Sequence, residues 1–194
     1  MMKYSVITFL ALVFCCSLSA QAKYEREFRI KKSQFPQASL ELAEPFLDGV
    51  RKLRFYKEID SSRQRFQIKF KRDKLKYSVE FNDEAVLEDI ELGITEVDIP
   101  EVSFQAMEAY LKDHFSKYKI RKIQQQYPRT AFSSTEETFR IAYQNLILPE
   151  IRYEFIVHAK TPDGSMDFEI LFDADGKFLK QRKSLPPNYD HVLY

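Results

Sequence analysis

The chain has 194 residues, 44% of them hydrophobic and 14% aromatic, and its 30 basic against 29 acidic residues leave it near neutral. The charges are interspersed, so the sequence lacks the basic surface that non-specific nucleic-acid binding needs. After the first residues, no stretch is apolar over the roughly 20 residues that a membrane-spanning helix requires.

Lys3, the apolar run Val6–Cys16 and the small residues of Ala20-Gln21-Ala22 form the three parts of a secretory leader. Residues 1–22 are therefore expected to be a signal peptide cut after Ala22, giving a periplasmic or secreted protein. Cys15 and Cys16 stand near the place of a lipid-bearing cysteine. Phe14, however, occupies the position where a small residue is expected, which argues against lipid anchoring. These are the 2 cysteines of the chain. Cleavage would leave no disulfide, no thiol nucleophile and no cysteine zinc site, so stability would fall to a hydrophobic core. The 17 Phe and 11 Tyr supply the material for one.

Beyond the leader the sequence reads as one unit written twice. Pro36, Ser39, Glu44 and Leu47 recur at constant spacing as Pro100, Ser103, Glu108 and Leu111. Both segments are expected to be helices opened by proline, whose missing N–H costs nothing at a helix start. Pro45 should end the first helix early. In the second, Phe104, Met107, Leu111 and Phe115 make one apolar stripe.

A basic, β-prone run follows each helix, Lys52–Ile59 and then Lys117–Ile123, and a hairpin comes next. Phe66, Ile68 and Phe70 alternate with polar residues, as do Tyr77, Val79 and Phe81. In the second half Tyr153, Phe155, Val157 and Ala159 lead into Thr161-Pro162-Asp163-Gly164, and Phe168, Ile170 and Phe172 return. Asp173-Ala174-Asp175-Gly176 then turns into Lys177–Lys180, both turns using Asp-Gly for positive φ.

The second half is longer between its first strand and its hairpin. Ser134-Thr135-Glu136-Glu137 has the form of a capping box, and Phe139, Ala142, Tyr143 and Leu146 follow at helical spacing. An inserted helix over about 135–147 is expected, although Phe139, Ile141 and Tyr143 would also suit a strand. The expected fold is therefore α+β, with two tandem units of a helix packed on a small antiparallel β-sheet and an extra helix in the second. The units cover residues 23–98 and 99–183, with a C-terminal tail at 184–194.

Outward positions of the first hairpin are polar, whereas those of the second, Glu154, Ile156, His158, Glu169 and Leu171, are half apolar. That face needs cover, from the inserted helix or from a partner. These five residues are the candidate binding residues.

Ile99-Pro100 at a helix start, Tyr153–Val157 before an Asp-Gly turn, and the ending Phe172–Leu179 resemble PepSY-like units in tandem. Such units occur in exported Bacteroidetes proteins described as similar to β-lactamase-inhibitor domains. The resemblance spans residues 35–183 and is strongest in the C-terminal third. The first unit departs from it, since Asn82-Asp83-Glu84-Ala85 replaces the glycine-bearing turn. It implies a helix on a small antiparallel sheet, twice, and a binding or inhibitory role outside the cytoplasm towards a peptidase or another envelope protein. It carries over no catalytic residues.

A search for chemistry finds little. His114, His158 and His191 are scattered, without a second ligand at metal-binding spacing. His158 with Glu154 and Glu169 could form a small ligand set, but a plain surface histidine suits the pattern better. Asp173-x-Asp175-Gly176 starts like a calcium loop, yet Lys177 and Lys180 follow where further oxygen ligands would be needed. No nucleophile elbow, P-loop or dinucleotide fingerprint occurs. The expected function is an exported, non-catalytic module that binds an envelope or extracellular protein, with no cofactor and no metal. The alternative is a carrier holding a small apolar ligand between helix and sheet.

Overall fold

Period-two alternation of apolar and polar residues builds a single sheet in the computed structural model, which describes residues 22–23, 25–60 and 63–184. The expected signal peptide, apart from Ala22, and the tail beyond Ser184 lie outside the described residues. The strands are β1 (Ala22–Lys23), β2 (Glu25–Ile30), β3 (Arg51–Asp60), β4 (Arg63–Arg72), β5 (Leu75–Asn82), β6 (Leu87–Ile94), β7 (Tyr118–Pro128), β8 (Arg152–Thr161), β9 (Gly164–Asp173) and β10 (Phe178–Ser184). Their order is β1-β10-β9-β8-β7-β6-β5-β4-β3-β2. The two residues of β1 run parallel to β10, and all other pairings are antiparallel.

The expectation of two small sheets, each under its own helix, is thereby corrected. One long sheet with a few short helices takes their place. Strand β6 makes the difference: it pairs with β5 on one side and with β7 on the other, from Asp89↔Pro128 to Ile94↔Ile123. Glu88, Asp89 and Gly93 are poor strand formers, so the strand signal of the sequence is weak there. Burial of Leu87, Ile90 and Leu92 on one side overrides that propensity.

The three α-helices of the described residues, α1 (Gln37–Ala43), α2 (Glu101–His114) and α3 (Thr135–Tyr143), lie on one side of the sheet. Pro36 and Pro100 stand at the N-caps of α1 and α2. Pro45 converts the end of α1 into a 3-10 turn, Glu44–Phe46, so α1 has 7 residues where α2 has 14. Helix α2 covers the β8–β9 region: Phe104 packs near Phe155, Tyr110 against Phe172 and Phe115 against Phe168.

Helix α3 starts where expected, with Ser134 Oγ accepting the Glu137 N–H at 3.1 Å. Glu137 in turn accepts from the Ser133 N–H at 2.9 Å, one residue upstream of a standard capping box. The helix ends at Tyr143, short of the expected 147. Asn145 takes a φ of 49°, and the Leu146 N–H reaches back to the Ile141 carbonyl at 3.3 Å, a Schellman ending.

The destination of α3 is the first half of the sheet. Phe139 stacks on Phe46 at 4.0 Å, Tyr143 meets Phe70 and Tyr77 edge-on, and the Tyr143 hydroxyl donates to the Phe46 carbonyl at 2.7 Å. The inserted helix thus fills the space that the short α1 leaves open. It does not cover the outward face of β8 and β9.

Candidate functional site

Side chains that alternate with the core residues leave the sheet on its other side, where no described helix packs. That side forms an open concavity of about 1170 Å³ running from β2 across to β10. Its lining is charged, and several of its charges are held in pairs. Lys69 reaches Glu27 at 2.5 Å and lies over the Tyr56 ring at 4.8 Å. Arg65 bonds Glu88 at 3.0 Å and stands 3.8 Å from Glu58, which also accepts from Gln67 Nε2 at 2.7 Å.

The five predicted residues come together here. Glu154 faces Leu171 across the β8–β9 pairing, Ile156 faces Glu169, and His158 faces Asp167. Arg182 of β10 bonds Glu169 and lies 3.9 Å from Glu154, so one guanidinium bridges both carboxylates. His158 Nδ1 donates to Asp167 at 2.6 Å, and Arg121 reaches the same carboxylate at 3.4 Å. His158 is thus tied to Asp167 rather than grouped with Glu154 and Glu169. Ile156 and Leu171 remain half-buried between these charges. His114 stands apart on α2, stacked on Tyr110 at 3.9 Å and donating to its carbonyl at 2.8 Å. His191 lies outside the described residues. Asp173 serves its turn, accepting N–H groups from Asp175 at 3.1 Å and Lys177 at 2.8 Å.

The centre of the face was not foreseen. Glu80 of β5 and Asp89 and Glu91 of β6 converge there, with one oxygen of each within 4.8 Å of the others. Gln124 donates to Glu91 and Gln126 to Asp89, the latter at 3.2 Å. Asp89 keeps some exposed surface, but its Oδ1 is buried without a hydrogen-bond partner. The carboxyls of Asp89 and Glu91 are held well above the usual carboxylate range. Burial is the largest cause, then repulsion from Glu80 and Glu154; Arg65 opposes it at Asp89 and Lys122 at Glu91. A sequence signal existed in the alternation Asp89-Ile90-Glu91-Leu92, but its strand had first to be recognised.

No family model matches the chain, and no curated protein matches it. Solved structures do. A DUF2874 family protein from Bacteroides ovatus aligns at a TM-score of 0.50 with 8% identity, covering 77% of this chain and 87% of that one. A protein from Bacteroides eggerthii, provisionally assigned to the periplasm, gives 0.49 at 15% identity over 77% and 88%. A BLIP-like protein from Bacteroides fragilis gives 0.47 at 12% identity over 82% and 92%. At these identities the likeness concerns the fold alone, and the Bacteroides ovatus protein carries it.

Proposed function

We propose that this chain is an exported, non-catalytic binding module that receives another protein on the open face of its sheet. The observation that carries the reading is the half-buried apolar pair Ile156 and Leu171, set among Glu154, Glu169 and Arg182 on a face that no described helix covers. Apolar side chains ringed by polar ones have the composition of a protein–protein contact. His158 lies at the rim of the same patch. The leader pattern of residues 1–22 supports a periplasmic or secreted destination, and a near-neutral charge favours proteins over nucleic acids as partners. No described helix is long and apolar enough to cross a membrane. Inhibition of a peptidase or another envelope enzyme is one form the binding would take.

Affinity capture from envelope extract tests this, with the wild-type chain run beside an Ile156→Asp, Leu171→Asp double variant. The expected result is a partner recovered by the wild type and lost with the variant, whose melting temperature stays close to wild type. Recovery of the same partner by both proteins, or of nothing above background, sinks the reading. The alternative, an apolar ligand between helix and sheet, has less support. Met107, Leu111, Phe139 and Ala142 fill that interface at 0% exposure.

A further inference from the structure

Three carboxylates crowded on a sheet face do not by themselves indicate a ligand. Glu80, Asp89 and Glu91 are distinguished by the side chains beside them. Ser78 stands directly across the β5–β6 pairing from Glu91, and Gln67 directly across the β4–β5 pairing from Glu80. All five side chains therefore leave the sheet at adjacent positions of one face. Ser78 is 7% exposed and Gln67 4%, yet Ser78 Oγ and Gln67 Oε1 have no hydrogen-bond partner. Buried oxygens left unmatched are costly and rare in native proteins. Here two of them, with Asp89 Oδ1 as a third, border three carboxylates. Arg65 bonds Glu88 at 3.0 Å and Lys69 bonds Glu27 at 2.5 Å, and both cations also lie in the field of Glu80.

We propose that Gln67, Ser78, Glu80, Asp89 and Glu91 form a binding site for a hard divalent cation of the calcium class. The donors are all oxygen, three acidic and two neutral, which selects against metals that prefer nitrogen or sulfur. Calcium accepts mixed carboxylate and amide oxygens at about 2.3–2.6 Å, so its ligands stand up to about 5 Å apart across the ion. Magnesium, bound at about 2.0–2.1 Å, would have to draw them to about 4 Å. Carboxylate oxygens of Glu80, Asp89 and Glu91 that lie within 4.8 Å of one another can all reach the larger ion as the strands stand. Gln124 and Gln126 act as orienting residues, each donating to one oxygen of Glu91 or Asp89.

Spacing along the chain could not reveal this set, because three strands supply it and only their register assembles it. The site is independent of the partner reading, since its donors lie on β4 to β6 and the apolar pair on β8 and β9.

The test is calorimetric titration of the purified protein, stripped with a chelator, with calcium chloride, magnesium chloride and manganese chloride in turn. Thermal melting is followed in parallel. One saturable calcium site is expected, with an affinity of about 10⁻⁴–10⁻³ M, the range of extracellular modules, and a rise in melting temperature. Asp89→Asn and Glu91→Gln should each weaken it at least about tenfold, the scale on which losing a metal ligand or its support is felt. Asp167→Asn, on the same face but outside the set, should leave it unchanged. Circular dichroism of the stripped variants establishes that they fold. Absence of a saturable calcium signal, calcium binding equal in folded Asp89→Asn and Glu91→Gln, loss of binding in Asp167→Asn, or preference for magnesium or manganese would each overturn the proposal.

Discussion

On the helix side of the sheet, Ile68, Val79, Phe81, Ile90, Phe155 and Ile170 reach 0% exposure and meet other apolar groups. On the opposite side, their immediate neighbours Lys69, Glu80, Asp89, Glu91, Glu154 and Leu171 form a charged, open surface with few apolar members. Each strand supplies both faces from successive residues, so one polypeptide segment carries the stabilising half and the proposed recognition half together. The helix side is explained by burial of aromatic and aliphatic area. The open side, with its crowded carboxylates and unmatched oxygens, is not organised to stabilise the fold. Polar groups retained at such a cost are more easily understood as serving a ligand or partner.

The contrast breaks first under truncation. Phe155→Ala should lose about 3–5 kcal/mol, because it empties a filled position against Phe104 and Phe172. Leu171→Ala, the same kind of change on the open face of the adjacent strand, should cost less than about 1 kcal/mol. Denaturant unfolding of both variants measures the difference, and equal losses would show that the open face is also core. A next-largest effect is expected at Gly176, in the turn before β10. Its φ is 85°, and an added Cβ would lie 2.3 Å from the Ser103 carbonyl oxygen of α2. Gly176→Ala combines a left-handed backbone cost of roughly 1–2 kcal/mol with displacement of the turn from the helix. Unfolding should show a loss of about 2 kcal/mol or more, and a loss below about 0.5 kcal/mol would mean that the turn and α2 part freely.

Much of the helix side was legible in the sequence. Alternation in Phe66–Phe70, Tyr77–Phe81, Tyr153–Ala159 and Phe168–Phe172 marks strands β4, β5, β8 and β9 because period two survives wherever one face is buried. The stripe Met107, Leu111 and Phe115 marks α2, and Pro45 marks the end of α1. The joining of the halves was not legible. Pairing partners are chosen by tertiary burial, and β6 shows weak strand propensity along Glu88, Asp89 and Gly93. Nor does an amphipathic pattern say which surface a helix seeks: α3 turned to Phe46, Phe70 and Tyr77 and left Ile156 and Leu171 open. On the open face, Glu154, Ile156, His158, Glu169 and Leu171 could be placed together because a hairpin fixes its own register. Glu80, Asp89 and Glu91 depend on two separate pairings and on the irregularity between Glu80 and Phe81.

A smaller effect sharpens the comparison through pH. In the metal-free protein the folded-state pKa values of Asp89 and Glu91 are raised above their unfolded values, burial being the main cause and the charges of Glu80 and Glu154 adding to it. The folded chain therefore holds these protons more tightly than the unfolded chain. Stability from this pair is fully present below the unfolded carboxylate values near 4 and is lost as pH rises towards the raised folded values. Arg65 and Lys122 oppose the shift without reversing it. Removing the charge with Asp89→Asn or Glu91→Gln should consequently raise the melting temperature of the chelated protein at pH 7. The gain should shrink as the pH is lowered towards 4, where the wild-type carboxyls are already neutral. A gain that does not change with pH would show that the carboxylate charge is not its source, and a variant less stable than wild type at pH 7 would show that Gln124 and Gln126 compensate the ionised carboxylates fully. The open face would then be as well satisfied as the core behind it.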